Sequence, residues 1–186
     1  MRPACIVSRA QRPTAPSRPS VCVVRVGEPS MNDRTRHQAL AALEPLVGEW
    51  EVEMSINGKA LTRGRTTFEW LEDGSFLLQH ADAEATEDAP VGWRDNTPFP
   101  LTSVIGVDDS SGEFAMLYAD SRDVFRIYRM SVAGGTWKLW RDDPGFFQRF
   151  IGEFSEDRRT IAGRWEQSPD GSTWERDFDM TYRRTG

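Results

Sequence analysis

Apolar and polar residues alternate almost without a break from Thr173 to Tyr182. Trp174, Arg176, Phe178, Met180 and Tyr182 share one side of an extended ribbon, and Glu175, Asp177, Asp179 and Thr181 share the other. The second side is acidic, so the first is expected to face a core and to carry the Arg176 guanidinium inward with it. Residues 48–56 repeat the pattern, with Trp50, Val52, Met54 and Ile56 opposite three glutamates. Asn57-Gly58 follows, a dipeptide that joins antiparallel strands because both residues tolerate positive φ.

The same period of two predicts further strands at 63–71, 75–83, 101–107, 113–119, 123–132, 136–142, 146–154, 160–167 and 172–184. Between them stand Asp73-Gly74, Ser111-Gly112, Gly134-Gly135, Pro144-Gly145 and Pro169-Asp-Gly171, each a turn former. Before the first strand the period is 3.6: Asp33 can cap a short helix that runs to about Leu43, with Leu40, Leu43 and Leu46 on one side and Pro45 ending it. Ten strands joined by tight turns cannot form a parallel sheet, which needs long crossovers. The expectation is an all-β, antiparallel up-and-down β-barrel with a short N-terminal helix, closed so that no edge strand is left open. One long gap, residues 84–100, has no periodicity and contains Trp93 and Pro98-Phe-Pro100. Such a loop at a barrel mouth commonly gates it.

Charge divides the chain. Residues 1–30 hold five arginines against the single acid Glu28, so the formal charge of -6 conceals a basic leader and a domain more acidic than the whole. The leader, with Arg-Pro repeats around residues 12–19, is expected to be disordered, and Met31 reads as the start of a domain spanning 31–186. An acidic domain repels phosphate backbones and anionic bilayers, which argues against nucleic acid as a partner. No apolar run reaches the length of a membrane span, so membrane insertion by a helix is not expected. Both cysteines, Cys5 and Cys22, lie in the leader, leaving the domain without a thiol and consistent with a cytoplasmic location.

Leu46-Val-Gly48-Glu-Trp50, a helix followed by Gly-x-Trp at the opening of the first strand, resembles the calycin group of ligand-binding barrels: lipocalins, fatty-acid-binding proteins and nitrobindin-like haem barrels. With the finish Trp174-x-x-Asp-Phe-x-x-x-Tyr182, the chain is most similar to bacterial lipocalin-like barrels over about residues 40–184. The resemblance implies a barrel that holds a small guest. It does not carry over haem ligation, because the haem barrels use a histidine in their C-terminal half and the histidines here are His37 and His80. Fatty-acid-binding proteins hold a carboxylate with Arg-x-Tyr on the last strand. Arg126-Ile-Tyr128 has that spacing on an earlier strand, so the match fails position for position.

The residues themselves offer several candidates. In Val124–Met130 one face carries Val124, Arg126, Tyr128 and Met130 and the other Phe125, Ile127 and Arg129, and the pattern alone does not choose between them. If the first is inward, Arg126, Tyr128 and Arg176 make a cationic interior suited to an anionic head group; equally, they form a buried structural network. Gln148 and Gln167 interrupt the faces of Phe146, Phe150 and Phe154 and of Ile161 and Trp165, a mixture that small-molecule pockets show. Gly152 and Gly163, on the same faces, mark positions where the barrel can bend. His80 is a lone histidine beside Phe76 and Leu78, and Asp108-Asp109 and Asp142-Asp143 sit at strand ends where carboxylates cap turns. No metal site, zinc spacing, nucleophile elbow or phosphate loop is present in the pattern.

The leading expectation is a non-enzymatic carrier or sensor that binds a small hydrophobic or amphipathic molecule through Arg126, Tyr128, Gln148, Trp165, Arg176 and Phe178, with no cofactor. Two other readings stand beside it. One is an enzyme with His80 or Tyr128 as acid–base, and the other a filled barrel presenting Trp93, Phe99 and the Trp137-x-x-Trp140 segment as a partner patch.

Overall fold

The computed structural model describes residues 33–186. The expected disordered leader, its two cysteines and the start at Met31 lie outside the described residues. Helix α1 (Asp33–Leu40) tightens into a 3-10 segment (Ala41–Leu46) where Pro45 removes a backbone donor. Ten strands follow: β1 (Gly48–Ile56), β2 (Lys59–Leu71), β3 (Phe76–Ala85), β4 (Leu101–Val107), β5 (Phe114–Asp120), β6 (Phe125–Ala133), β7 (Thr136–Asp143), β8 (Phe146–Phe154), β9 (Thr160–Ser168) and β10 (Glu175–Arg184). A four-residue helix, α2 (Val91–Arg94), interrupts the β3–β4 connection. Each strand pairs antiparallel with its neighbours in sequence, and β10 pairs with β1, so the sheet closes into the expected barrel.

Two strand starts differ from expectation by three residues or more, each for a local reason. Asn57 and Gly58 both adopt positive φ, so β2 pairs immediately after the turn, with Lys59 opposite Ile56. β10 starts three residues late because the Asp170 carboxylate accepts hydrogen bonds from the Ser172 and Thr173 amides, each at 2.8 Å, and holds that stretch in a turn.

One irregularity reverses an expectation. Along β10, Arg176 pairs with Glu166 and Phe178 with Trp165, so Asp177 is an extra residue in the ladder, a β-bulge. Phe178, Met180 and Tyr182 turn inward as the alternation predicts, whereas before the bulge the faces exchange. Arg176 therefore points outward, its side chain 54% exposed, and its Nε donates to the outer Asp179 carboxylate at 3.0 Å. Trp174, expected on the inner face, lies under the Arg149 guanidinium at 4.0 Å. Asp177, expected outside, joins the interior.

The barrel is solid at one end. Leu40, Leu43 and Leu46 cover its floor, over Trp50, Phe68, Trp137, Phe150 and Tyr182, all buried. Trp137 is central: its ring centroid is 5.0 Å from Phe150, 5.6 Å from Tyr182 and 5.9 Å from Phe68. Gly152 and Gly163 serve this packing, since a Cβ at either would meet the Phe150 ring at 2.8 or 2.4 Å. Ring clearance, rather than a bend, explains them.

Arg184, near the end of β10, locks the floor. Its guanidinium stacks 4.2 Å from the Trp50 ring and donates to the Val47 carbonyl at 2.5 Å and the Pro45 carbonyl at 2.7 Å. Trp50 Nε1 donates in turn to the Leu46 carbonyl at 2.8 Å. Three carbonyls at the C-terminal end of the 3-10 segment thus find donors in the barrel wall. Gly48, at φ 122°, makes room: a Cβ there would stand 2.6 Å from an Arg184 nitrogen. Removing two charge-assisted hydrogen bonds and a stacked cation should cost roughly 2–4 kcal/mol. Urea unfolding of Arg184→Ala should show that loss, and the exposed neighbour Arg183→Ala should change stability little.

Candidate functional site

Above the Trp137 layer the interior opens. A cavity of about 370 Å³ lies between the packed floor and the β3–β4 loop, which contributes Gly92, Trp93, Asn96, Pro98 and Phe99 to its roof. The loop is tied down at several points. Trp93 Nε1 donates to Thr62 Oγ1 at 2.7 Å, Ser121 Oγ to the Phe99 carbonyl at 2.8 Å, and Arg122 Nη1 to the Asn96 carbonyl at 3.2 Å. Trp93 also packs edge-on against Phe178, with centroids 5.7 Å apart. The aperiodic stretch thus caps the mouth. The alternative use of Trp93 and Phe99 as an exposed partner patch is corrected: Phe99 is buried, Trp93 is half-buried against the core, and Trp137 is in the floor.

Strand parity decides the β6 ambiguity. Tyr128 and Met130 are buried and Phe125 and Ile127 exposed, so the face with Arg126 and Tyr128 is the inner one. Across the interior, Gln148 on β8 receives both: Tyr128 donates its hydroxyl to Gln148 Oε1 at 2.6 Å, and Arg126 Nη1 donates to the same oxygen at 3.2 Å and to the Tyr128 hydroxyl at 3.3 Å. The Phe146 ring holds the guanidinium, 4.5 Å from its centroid. Arg126 makes no ion pair among the described residues. Trp165 lies beside this triangle, 5.7 Å from Tyr128 and 6.3 Å from Phe178 between ring centroids. Five of the six expected site residues (Arg126, Tyr128, Gln148, Trp165 and Phe178) therefore line one cavity, together with Gln167. Arg176 does not, so the expectation of an inward Arg176 fails, and with it the argument for a guest that rested on that residue.

Asp177 takes its place. Burial raises its carboxyl above the ordinary value, and the Gln148 amide and the Arg126 charge offset only part of that. Burial also raises the Tyr128 hydroxyl, against the hydrogen bond from Arg126 and the charges of Arg126 and Arg141, so Tyr128 is a neutral donor at ordinary pH. On the neighbouring strand β5, where it pairs with Arg126, Tyr118 donates to Asp120 at 2.7 Å, and burial followed by that bond raises its hydroxyl as well. Burial works against the Asp120 charge, but the bonds from Arg122, the closest at 2.6 Å, and from Tyr118 hold its carboxyl below the usual range. This Tyr118–Asp120–Arg122 set orients the phenol at the cavity wall and, through Arg122, reaches the Asn96 carbonyl of the roof. Nearer the floor, Gln79 Oε1, Ser103 Oγ and Trp137 Nε1 are buried without a hydrogen-bond partner.

Tyr118 was not among the expected site residues, although it lies in the strand predicted at 113–119, two and four residues from Met116 and Phe114. Asp177 left one signal: an unpaired inward guanidinium at position 176 would be costly, and a bulge is a way to avoid it. The other candidates lie elsewhere. His80 is exposed on the outside of β3, its Nδ1 3.3 Å from Thr102 Oγ1, so it is not an acid–base group for the interior. Asp108 caps its turn as expected, held down to about 2 chiefly by the Ser110 hydroxyl and then by Ser111. Asp142 and Asp143 do not cap a turn but pair with Arg129 and Arg141.

No family model and no curated protein matches the chain. Among solved structures it is similar to the crystal structure of Rv2717c from M. tuberculosis, with 14% identity and a TM-score of 0.50 over 80% of this chain and 98% of that one. At that identity the likeness shows the barrel fold alone. Among the described residues no helix is long and apolar enough to cross a membrane.

The raised Asp177 carboxyl fixes a sign for stability. The folded state holds this proton more tightly than the unfolded chain, so its contribution is most favourable below the ordinary aspartate value and declines as pH rises through the raised one. Asp177→Asn should therefore raise the urea midpoint at pH 7 and change it much less at pH 3.5. A variant less stable at pH 7 would mean that Asp177 is held by a stabilising ion pair instead.

Proposed function

We propose that this barrel binds a small, largely apolar molecule with an anionic or polar head group and acts as a carrier or sensor rather than an enzyme. The observation that carries this reading is Arg126: a guanidinium facing the cavity whose hydrogen-bond and ring partners there are neutral, the Tyr128 and Gln148 oxygens and the Phe146 ring. An anion reaching it exchanges weak partners for a charge-assisted bond in a site of low dielectric. Tyr128 sits two residues along the same strand as a second polar contact. Trp93, Trp165, Phe178 and Met116 supply apolar surface for the body of the guest, and the cavity volume is in the range of small-molecule sites. A hydroxyl part-way along that body would meet the unpartnered Gln79 Oε1 and Trp137 Nε1, both on residues that line the cavity. The resemblance of Gly48-x-Trp50 to the calycin barrels supports the same reading. Catalysis through His80 has no geometry here, because that ring lies on the outer surface.

Dodecanoate is a suitable probe. Calorimetric titration of the full chain should show binding, and Arg126→Met should weaken it about 10- to 100-fold, the equivalent of roughly 1.5–3 kcal/mol for one hydrogen bond to a charged group. Arg176→Ala should leave affinity within about twofold, since that residue faces solvent. Equal affinity in Arg126→Met would reject the assignment.

A further inference from the structure

The barrel wall has a gap. β6 begins at Phe125 and β7 runs to Asp143, yet their pairing ends at Arg129 opposite Trp140. β6 remains paired with β5 as far as Phe125, and β7 with β8 as far as Asp143. The two strands thus part from each other while each keeps its outer neighbour. Between them is a hollow of about 500 Å³ lined by Phe125, Arg126, Ile127, Trp140, Arg141 and Asp142 among others. Arg126 lines both this slot and the interior cavity.

The slot carries more positive charge than it neutralises. Arg129 is matched by Asp142, and one Nη of Arg141 by Asp143 at 2.5 Å. Among the described residues Arg126 forms no ion pair, although its charge acts on the Asp177 carboxyl in the cavity, and Arg141 Nε is buried with no hydrogen-bond partner. Both Arg126 and Arg141 act on the Tyr128 hydroxyl, which places them in one electrostatic neighbourhood. A carboxylate brings two oxygens and one charge. A phosphate ester has further oxygens and a second partial charge, and Arg is suited to hold several of them at once. Outside the guanidiniums the lip is apolar, with Phe125 65% and Ile127 55% exposed.

We infer that the slot between β6 and β7 is a head-group subsite, and that the guest is an amphiphile ending in a phosphate ester: its apolar body fills the cavity and its phosphate bridges Arg126 and Arg141 in the opening. This rests on the reading of the cavity proposed above and narrows its ligand class. The head then reaches solvent through the side of the barrel, away from the tied β3–β4 loop.

Matched probes test it on the full chain by calorimetry: dodecyl phosphate, dodecanoate and inorganic phosphate. Dodecyl phosphate should bind at least about tenfold tighter than dodecanoate, and inorganic phosphate far more weakly than either. Arg141→Met should abolish that margin while leaving dodecanoate within about twofold, with Arg141→Lys restoring part of it. Should Arg141→Met fail to fold, Ile127→Glu at the exposed lip serves, by repelling the more highly charged head more than the carboxylate. Equal affinity of wild type for the two dodecyl probes, or an equal loss of both in Arg141→Met, overturns the slot assignment while the cavity reading stands. Inorganic phosphate binding as tightly as dodecyl phosphate overturns the amphiphile. Failure of both dodecyl probes to bind overturns the slot and the cavity together.

Discussion

Closing a sheet of ten strands leaves each side chain two directions, into the barrel or out of it, and the chemistry of this molecule depends on where that alternation is broken. Along β10 a single extra residue, Asp177, shifts the pairing with β9 and exchanges the faces on either side of it. Without it, Arg176 would stand inside and Asp177 outside. With it, the interior receives a carboxylate and is spared a second guanidinium. The same step lets Asp177 and Phe178, adjacent in sequence, both line the cavity, so one polar and one apolar contact enter at the same level.

The two ends of the barrel divide the work of stability and recognition. At the floor, Arg184 and Trp50 supply donors to the carbonyls of Pro45, Leu46 and Val47, and the rings above them pack against one another. The aromatic contacts continue upward from Trp137 through Phe150 to Trp165, which touches both the packed layer and the open one. Walls anchored in this way hold Tyr128 and Gln148 at fixed separation, a form of preorganisation that a loop-borne site lacks. The roof is held by hydrogen bonds of Trp93, Ser121 and Arg122 and by the packing of Trp93 on Phe178.

Much of the fold was legible because its determinants are local. Period-two faces and turn formers such as Asn57-Gly58 and Gly134-Gly135 specify strands and hairpins without reference to distant residues, and both dipeptides adopt the positive φ that their type implies. Leu40, Leu43 and Leu46 were legible as one helical side for the same reason, and all are buried. The candidate site was legible only in part, because direction inside a barrel is not local. The β6 alternation allowed either face, and only packing against β5 and β8 selects the one with Arg126 and Tyr128. For Arg176 the alternation gave the wrong direction, since a bulge depends on register with β9. Gly152 and Gly163 were visible as glycines on an inner face, but the reason for them, the Phe150 ring, belongs to a contact across strands. The parting of β6 from β7 left no trace in the pattern, as both segments read as ordinary strands.

A guanidinium already joined to a carboxylate offers little to an incoming anion, because the new bond replaces one of similar strength and leaves a buried acid behind. Gln148 prevents that here. Its carbonyl oxygen accepts from both Arg126 and Tyr128 at 3.2 and 2.6 Å, and the Gln148 side chain and the Arg126 charge both favour the ionised Asp177 carboxyl against its burial. The amide thus gives the interior cation a neutral partner. The cation remains solvated enough by its contacts to be tolerated in the empty barrel, and those contacts are weak enough to yield to a charged oxygen. Replacing the amide with a carboxylate would neutralise Arg126 permanently, and replacing it with an apolar residue would bring the Asp177 charge into direct play. The affinity of this site for anions is therefore governed less by the arginine itself than by the uncharged side chain that holds it in reserve.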